Sequence, residues 1–122
     1  MRLFFAIIIA LSSAFTLKSG AEFSFSHKNH DFVDTKEGIV LSHDYHFVNT
    51  GSTPLIISGY EVECSCTKIT FPKQPVLPGE KGVIKLTFDT EGKYGFQSRQ
   101  IQIISNAKKR TKLSFRVYVV RA

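Results

Sequence analysis

Between residues 22 and 122, apolar and polar positions alternate with a period of two, and no segment keeps a 3.6-residue apolar period over ten or more residues. The pattern predicts an all-β chain. In Leu41–Phe47 the set Leu41, His43, Tyr45, Phe47 falls on one face and Ser42, Asp44, His46 on the other, so the first set is expected to point inward. Ile84, Leu86 and Phe88 alternate with Lys85 and Thr87. Ile101 and Ile103 alternate with Gln100 and Gln102, and Leu113, Phe115, Val117 and Val119 with Ser114, Arg116 and Tyr118. Pro54–Val62 contains Leu55, Ile56 and Ile57 in succession, which predicts a strand covered on both faces or lying at a sheet centre. Shorter strands are expected at Phe23–Phe25 and Thr67–Phe71, with Gly38–Val40 leading into Leu41. About seven strands in roughly 100 residues fit an immunoglobulin-like antiparallel β-sandwich.

Turn chemistry falls between these strands. Asn49-Thr50-Gly51 offers an asparagine that can bond nearby backbone and a glycine that can take positive φ, and Pro54 can open a strand but not occupy its middle. Pro78-Gly79 suits the two central positions of a type II turn. Glu91–Gly95 reads as a longer loop and Asn106–Lys112 as a basic hairpin tip.

The N-terminus changes the picture. Arg2, the apolar run Leu3–Leu11 and the small residues after it read as a secretory signal peptide spanning residues 1–21. Signal peptidase accepts small side chains three and one residues before the cut, which favours cleavage after Ala21 (Ser19, Ala21), with Ala14 (Ser12, Ala14) as second choice. The apolar run is shorter than the ~20 residues that span a bilayer, and no cysteine stands at the junction to take a lipid. The expectation is a chain exported to the periplasm or the extracellular space, with residues 22–122 forming one domain and no membrane span after cleavage. Cleavage after Ala21 removes Arg2 and Lys18 from the 16 basic residues and none of the 10 acidic ones, which leaves a charge of +4. That suits solubility and loose attraction to anionic envelope polymers; no nucleic-acid motif accompanies it.

Five segments in order resemble a family of small exported bacterial proteins known as a domain of unknown function: Tyr45-x-Phe47-x-Asn49-Thr50-Gly51, Pro54-Leu55-Ile56-Ile57, Cys64-Ser65-Cys66-Thr67, Pro78-Gly79-Glu80 and Ser105-Asn106. The resemblance covers about residues 38–120. It implies an immunoglobulin-like sandwich similar to the Hydin-type domains and no established activity. It also marks Asn49, Gly51, Pro54, Thr67, Pro78 and Gly79 as structural motif residues. Two positions depart from the family pattern. Ser65 stands where glycine is usual and restricts φ there, and Tyr45 stands where phenylalanine is usual, so its hydroxyl needs a partner.

The chemistry-bearing residues centre on Cys64 and Cys66, the chain's two cysteines. In an oxidising compartment they can form a local disulfide, lie buried as free thiols, bind copper or zinc with His43 as a further ligand, or exchange with another thiol. Residues i and i+2 of an extended strand lie about 6.6 Å apart at Cα. A disulfide prefers about 5.5–6 Å, so a bridge here requires a bend. His27-x-x-His30 and His43-x-x-His46 suggest metal binding, but strand geometry places His43 and His46 on opposite faces, and His27 and His30 are expected in a loop. Lys108-Lys109-Arg110 with Lys112 could meet phosphate or acidic polysaccharide. Neither a nucleophile elbow nor a P-loop nor a dinucleotide fingerprint is present, and no enzyme or cofactor is expected. The function expected is that of a non-catalytic binding or scaffolding domain for an envelope or secreted protein; the alternative is thiol-based metal or redox chemistry at the C-x-C pair.

Overall fold

A computed structural model describes residues 19–122. Most of the expected leader peptide, including Ala14, lies outside the described residues. The strands are β1 Phe23–Phe25, β2 Asn29–Asp31, β3 Thr35–Lys36, β4 Val40–Asn49, β5 Ile57–Val62, β6 Thr67–Thr70, β7 Lys81–Asp89, β8 Gly95–Ser105 and β9 Thr111–Val120. One sheet runs β1-β4-β7-β6 and the other β2-β9-β8-β5, with β3 also on β9. Among the described residues no helix is long and apolar enough to cross a membrane.

The alternating strands bury the faces expected of them. Tyr45, Phe47, Ile84, Leu86 and Phe88 come from one sheet and Ile101, Ile103, Leu113, Phe115, Val117 and Val119 from the other, and all are buried. Burying each such side chain contributes about 1.5–3 kcal/mol. The Phe88 and Phe115 rings meet across the sandwich with centroids 4.9 Å apart. Tyr45 finds the partner its hydroxyl requires: it donates to the Ser114 carbonyl at 2.7 Å, from one sheet to the other.

Three local expectations are corrected. His30 lies in β2 rather than in a loop, and β2 and β3 pair with β9 in parallel, so the second sheet is mixed. These strands are two and three residues long. That is too short to show alternation, and the neighbouring edge of β9 defines them.

Pro54–Val62 is not a central strand: β5 is the edge of its sheet. Leu55 and Ile57 turn inward and Ile56 is half exposed, so the apolar triplet is ordinary alternation with an apolar residue outside. Leu55 bridges to Val76, outside either sheet path.

Gly51 does not have positive φ. A β-carbon there would lie 1.9 Å from the Gly20 carbonyl oxygen, so it is close approach of backbone to backbone that requires glycine. By contrast, Gly79 has φ of 82° and the Glu80 N–H donates to the Leu77 carbonyl at 2.9 Å, the geometry of a type II turn with Pro78 leading.

Candidate functional site

The N-T-G and S-N segments are the anchors that fix the strand crossings. Asn49 is fully buried and uses its whole amide. Its Oδ1 accepts from the Gly51 N–H at 2.9 Å and the Glu22 N–H at 3.3 Å, and its Nδ2 donates to the carbonyls of Thr53 and Val76, each at 2.9 Å. One side chain thereby ties the entry to β1, the turn after β4 and the stretch before β7. Asn106 does the same for the start of β5, accepting from the Ile56 N–H at 2.9 Å and donating to the Pro54 carbonyl at 3.0 Å. Thr90, which carried no signal in the sequence, is buried and donates its hydroxyl to the Ile39 carbonyl at 2.6 Å.

Between these anchors the chain passes from β5, the edge of one sheet, to β6, the edge of the other, and the cysteines form the corner. Cys64 and Cys66 are disulfide-bonded with Cα atoms 5.2 Å apart, shorter than an extended strand allows. The required bend is present: the Thr67 N–H donates to the Cys64 carbonyl at 3.1 Å, closing a turn around exposed Ser65. Ser65 does not need glycine's freedom here, because no described non-glycine residue has positive φ. The Cys66 carbonyl accepts from the Asp89 N–H at 2.9 Å, which fastens the corner to the end of β7. Thr67 is buried, and its hydroxyl is a buried polar group without a hydrogen-bond partner.

The disulfide is half exposed and lies in a surface depression of about 420 Å³ whose lining includes Lys68, Asp89 and Lys93. The two lysines give it a cationic wall.

The structure separates His43 from this corner. Its ring stacks on His30 at 3.6 Å between centroids and meets the edge geometry of Tyr45 at 4.7 Å. Partial burial, followed by the charge of His30, holds the His43 pKa below its ordinary value. His46 is exposed on the opposite face of β4, as the alternation requires. Two imidazoles stacked face to face direct their in-plane lone pairs along parallel planes, so this pair does not form a chelate. Among the described residues no group of three or more His, Cys, Asp or Glu side chains is placed to hold a metal.

The basic tip forms a separate feature. Lys28, Lys108, Lys109 and Arg110 line a groove of about 250 Å³ near the N-terminal segment, and Lys108 Nζ lies 3.1 Å from Ser19 Oγ.

The family model described as "Protein of unknown function (DUF1573)" matches residues 23–119. A search of curated proteins finds no match. Among solved structures, a protein of unknown function from Porphyromonas gingivalis is similar with a TM-score of 0.70 and 15% identity, over 86% of this chain and 50% of that one. The chain thus spans about half the length of that relative. The ASH/PapD-like domain 7 of human CEP192 is similar with a TM-score of 0.64 and 10% identity, over 100% of this chain and 99% of that one. The YadV chaperone is similar with a TM-score of 0.58 and 14% identity, over 80% of this chain and 51% of that one. At these identities the likeness is one of fold alone, an immunoglobulin-like β-sandwich.

Proposed function

We propose that this chain, which belongs to the DUF1573 family of proteins of unknown function, is an exported, non-catalytic domain that binds an envelope or secreted protein along a sheet edge. The observation that carries this reading is the position of the disulfide corner. The chain leaves the edge strand β5 of one sheet and enters the edge strand β6 of the other within a few residues, so two free edges adjoin one pinned turn. An edge strand presents unpaired N–H and C=O groups, and a partner segment can add to it as a further strand. The unknown-function family and the PapD-like fold agree with a binding role, and the Hydin-type kinship suggested by the motifs belongs to the same proposal. Export to the periplasm or extracellular space rests on the leader sequence.

The test is site-specific photo-crosslinking in the exporting cell, with the probe at Glu61 on β5 or Lys68 on β6 and a control probe at Ser24 on β1. Adducts at the first two positions and none at Ser24 support the reading. Equal labelling at all three, or none at any, contradicts it.

A second reading draws on the half-exposed disulfide beside Lys68 and Lys93. An attacking thiolate of another exported protein would bond to one sulfur and release the other as a thiolate, so the chain would serve as a thiol-exchange partner. Copper or zinc would require the reduced pair. A Cys66→Ser variant that accumulates mixed disulfides through Cys64 favours this reading, and one that remains a free thiol in the exported protein argues against it.

A further inference from the structure

The segment leading into β1 is built into the sandwich two residues before the favoured cleavage point. The Gly20 carbonyl accepts from the Ser52 N–H at 2.8 Å, and the Gly20 N–H donates to Ser52 Oγ at 3.1 Å. Ala21 is 5% exposed and belongs to the hydrophobic core cluster. The Glu22 carbonyl accepts from the Thr50 N–H at 2.9 Å, so residues 20 and 22 bracket the turn after β4.

Gly51 gives the same segment a second, independent signature. A β-carbon at that position would meet the Gly20 oxygen at 1.9 Å, the Ala21 Cα at 2.8 Å and the Glu22 nitrogen at 2.8 Å. Since Gly51 does not have positive φ, its backbone conformation supplies no other reason for glycine. Two of the three atoms that exclude a side chain belong to Gly20 and Ala21. A mature chain beginning at Glu22 would discard both residues, open the site that Ala21 fills, and leave the Ser52 N–H without its carbonyl. It would also place a charged α-ammonium group where the neutral Glu22 N–H now meets the buried amide of Asn49.

The two cuts favoured by the leader, after Ala21 and after Ala14, both have small residues at the required positions. Only the second leaves the latch in place. Resting on the export reading above, we propose that signal peptidase cleaves between Ala14 and Phe15, and that Gly20 and Ala21 remain in the mature protein as a latch over the Asn49–Ser52 turn. In this step water adds across the Ala14–Phe15 peptide bond, leaving a carboxylate on Ala14 and an ammonium group on Phe15. The mature chain is then seven residues longer than cleavage after Ala21 would give.

The test is N-terminal sequencing and intact mass of the protein recovered after export of the full chain, together with an Ala14→Leu variant. That substitution places a bulky residue at the proposed cut and leaves Gly20, Ala21 and the residues they bond unchanged, so it changes processing without altering the latch sequence. The expected result is a wild-type N-terminus at Phe15 and loss of most processing in Ala14→Leu. A wild-type N-terminus at Glu22, or normal processing of Ala14→Leu, overturns the proposal. A chain that keeps Met1 and stays inside the cell overturns the export reading itself, an outcome distinct from cleavage at the other site.

Discussion

The Phe47 ring lies across Gly82, its register partner on the adjacent strand, so closely that a β-carbon on Gly82 would stand 2.3 Å from the ring's Cζ. Phe47 cannot easily withdraw, because Phe23 and Phe25 hold it with ring centroids at 5.0 and 5.5 Å. Gly82→Ala is therefore an overpacking substitution. It is expected to lower unfolding stability by about 1–3 kcal/mol in urea titration, and an unchanged midpoint would show that the aromatic cluster is free to shift.

Asn49 gives a larger effect. Asn49→Ala leaves the N–H groups of Gly51 and Glu22 and the carbonyls of Thr53 and Val76 without their buried partner. At about 1–3 kcal/mol for a stranded buried group, the loss is expected to reach at least ~3 kcal/mol by chemical denaturation. Asn49→Asp keeps the acceptor but removes both donors and introduces a charge at a fully buried site. It is expected to be no better tolerated than alanine.

The stack of His43 on His30 makes stability depend on pH in a definite direction. Burial and the neighbouring His30 lower the folded-state pKa of His43 below its ordinary 6.5, against the smaller opposing effect of Asp44. The unfolded chain thus binds the proton more readily than the folded one. The contribution is fully present above about pH 6.5 and is lost as pH falls below that value and through the lower folded pKa. His43→Phe preserves an aromatic ring against His30 and removes the titration. The variant's melting temperature is expected to fall less than the wild type's between neutral and mildly acid pH, and parallel curves would refute the assignment.

Tyr45→Phe removes the hydroxyl that joins the sheets at Ser114. The expected cost is about 1 kcal/mol in thermal or urea unfolding. A value near zero would mean that the freed carbonyl is readily satisfied by water.

The framework was legible wherever a strand was long enough to alternate with one face buried. β4, β7, β8 and β9 meet that condition, and their inward sets form the core. β2 and β3 escaped because a strand of two or three residues carries no period, and the information that makes them strands lies on β9. The triplet Leu55-Ile56-Ile57 points to a strand covered on both faces or at a sheet centre, whereas β5 is an edge, because hydrophobicity alone does not distinguish an outward Ile56 from a buried one. At Gly51 the residue type was informative and the mechanism was not: its reason is a contact with Gly20, distant in sequence. Likewise the cysteine spacing demanded a bend, whereas the junction of two sheet edges at that bend is a property of topology that no local pattern contains.

In the proposed binding role, the local disulfide of the cysteine corner shapes two adjoining edges for a partner instead of holding the fold together. A three-residue loop removes little entropy from the unfolded chain, so Cys64→Ser/Cys66→Ser is expected to cost only about 1.6 kcal/mol. The most direct measurement compares photo-crosslinking from Glu61 and Lys68 in the exported wild type and in this double variant, with circular dichroism to verify folding. The expected result is a folded variant whose crosslinks at both edges are largely lost. Undiminished crosslinking, or a variant that no longer folds, would contradict it.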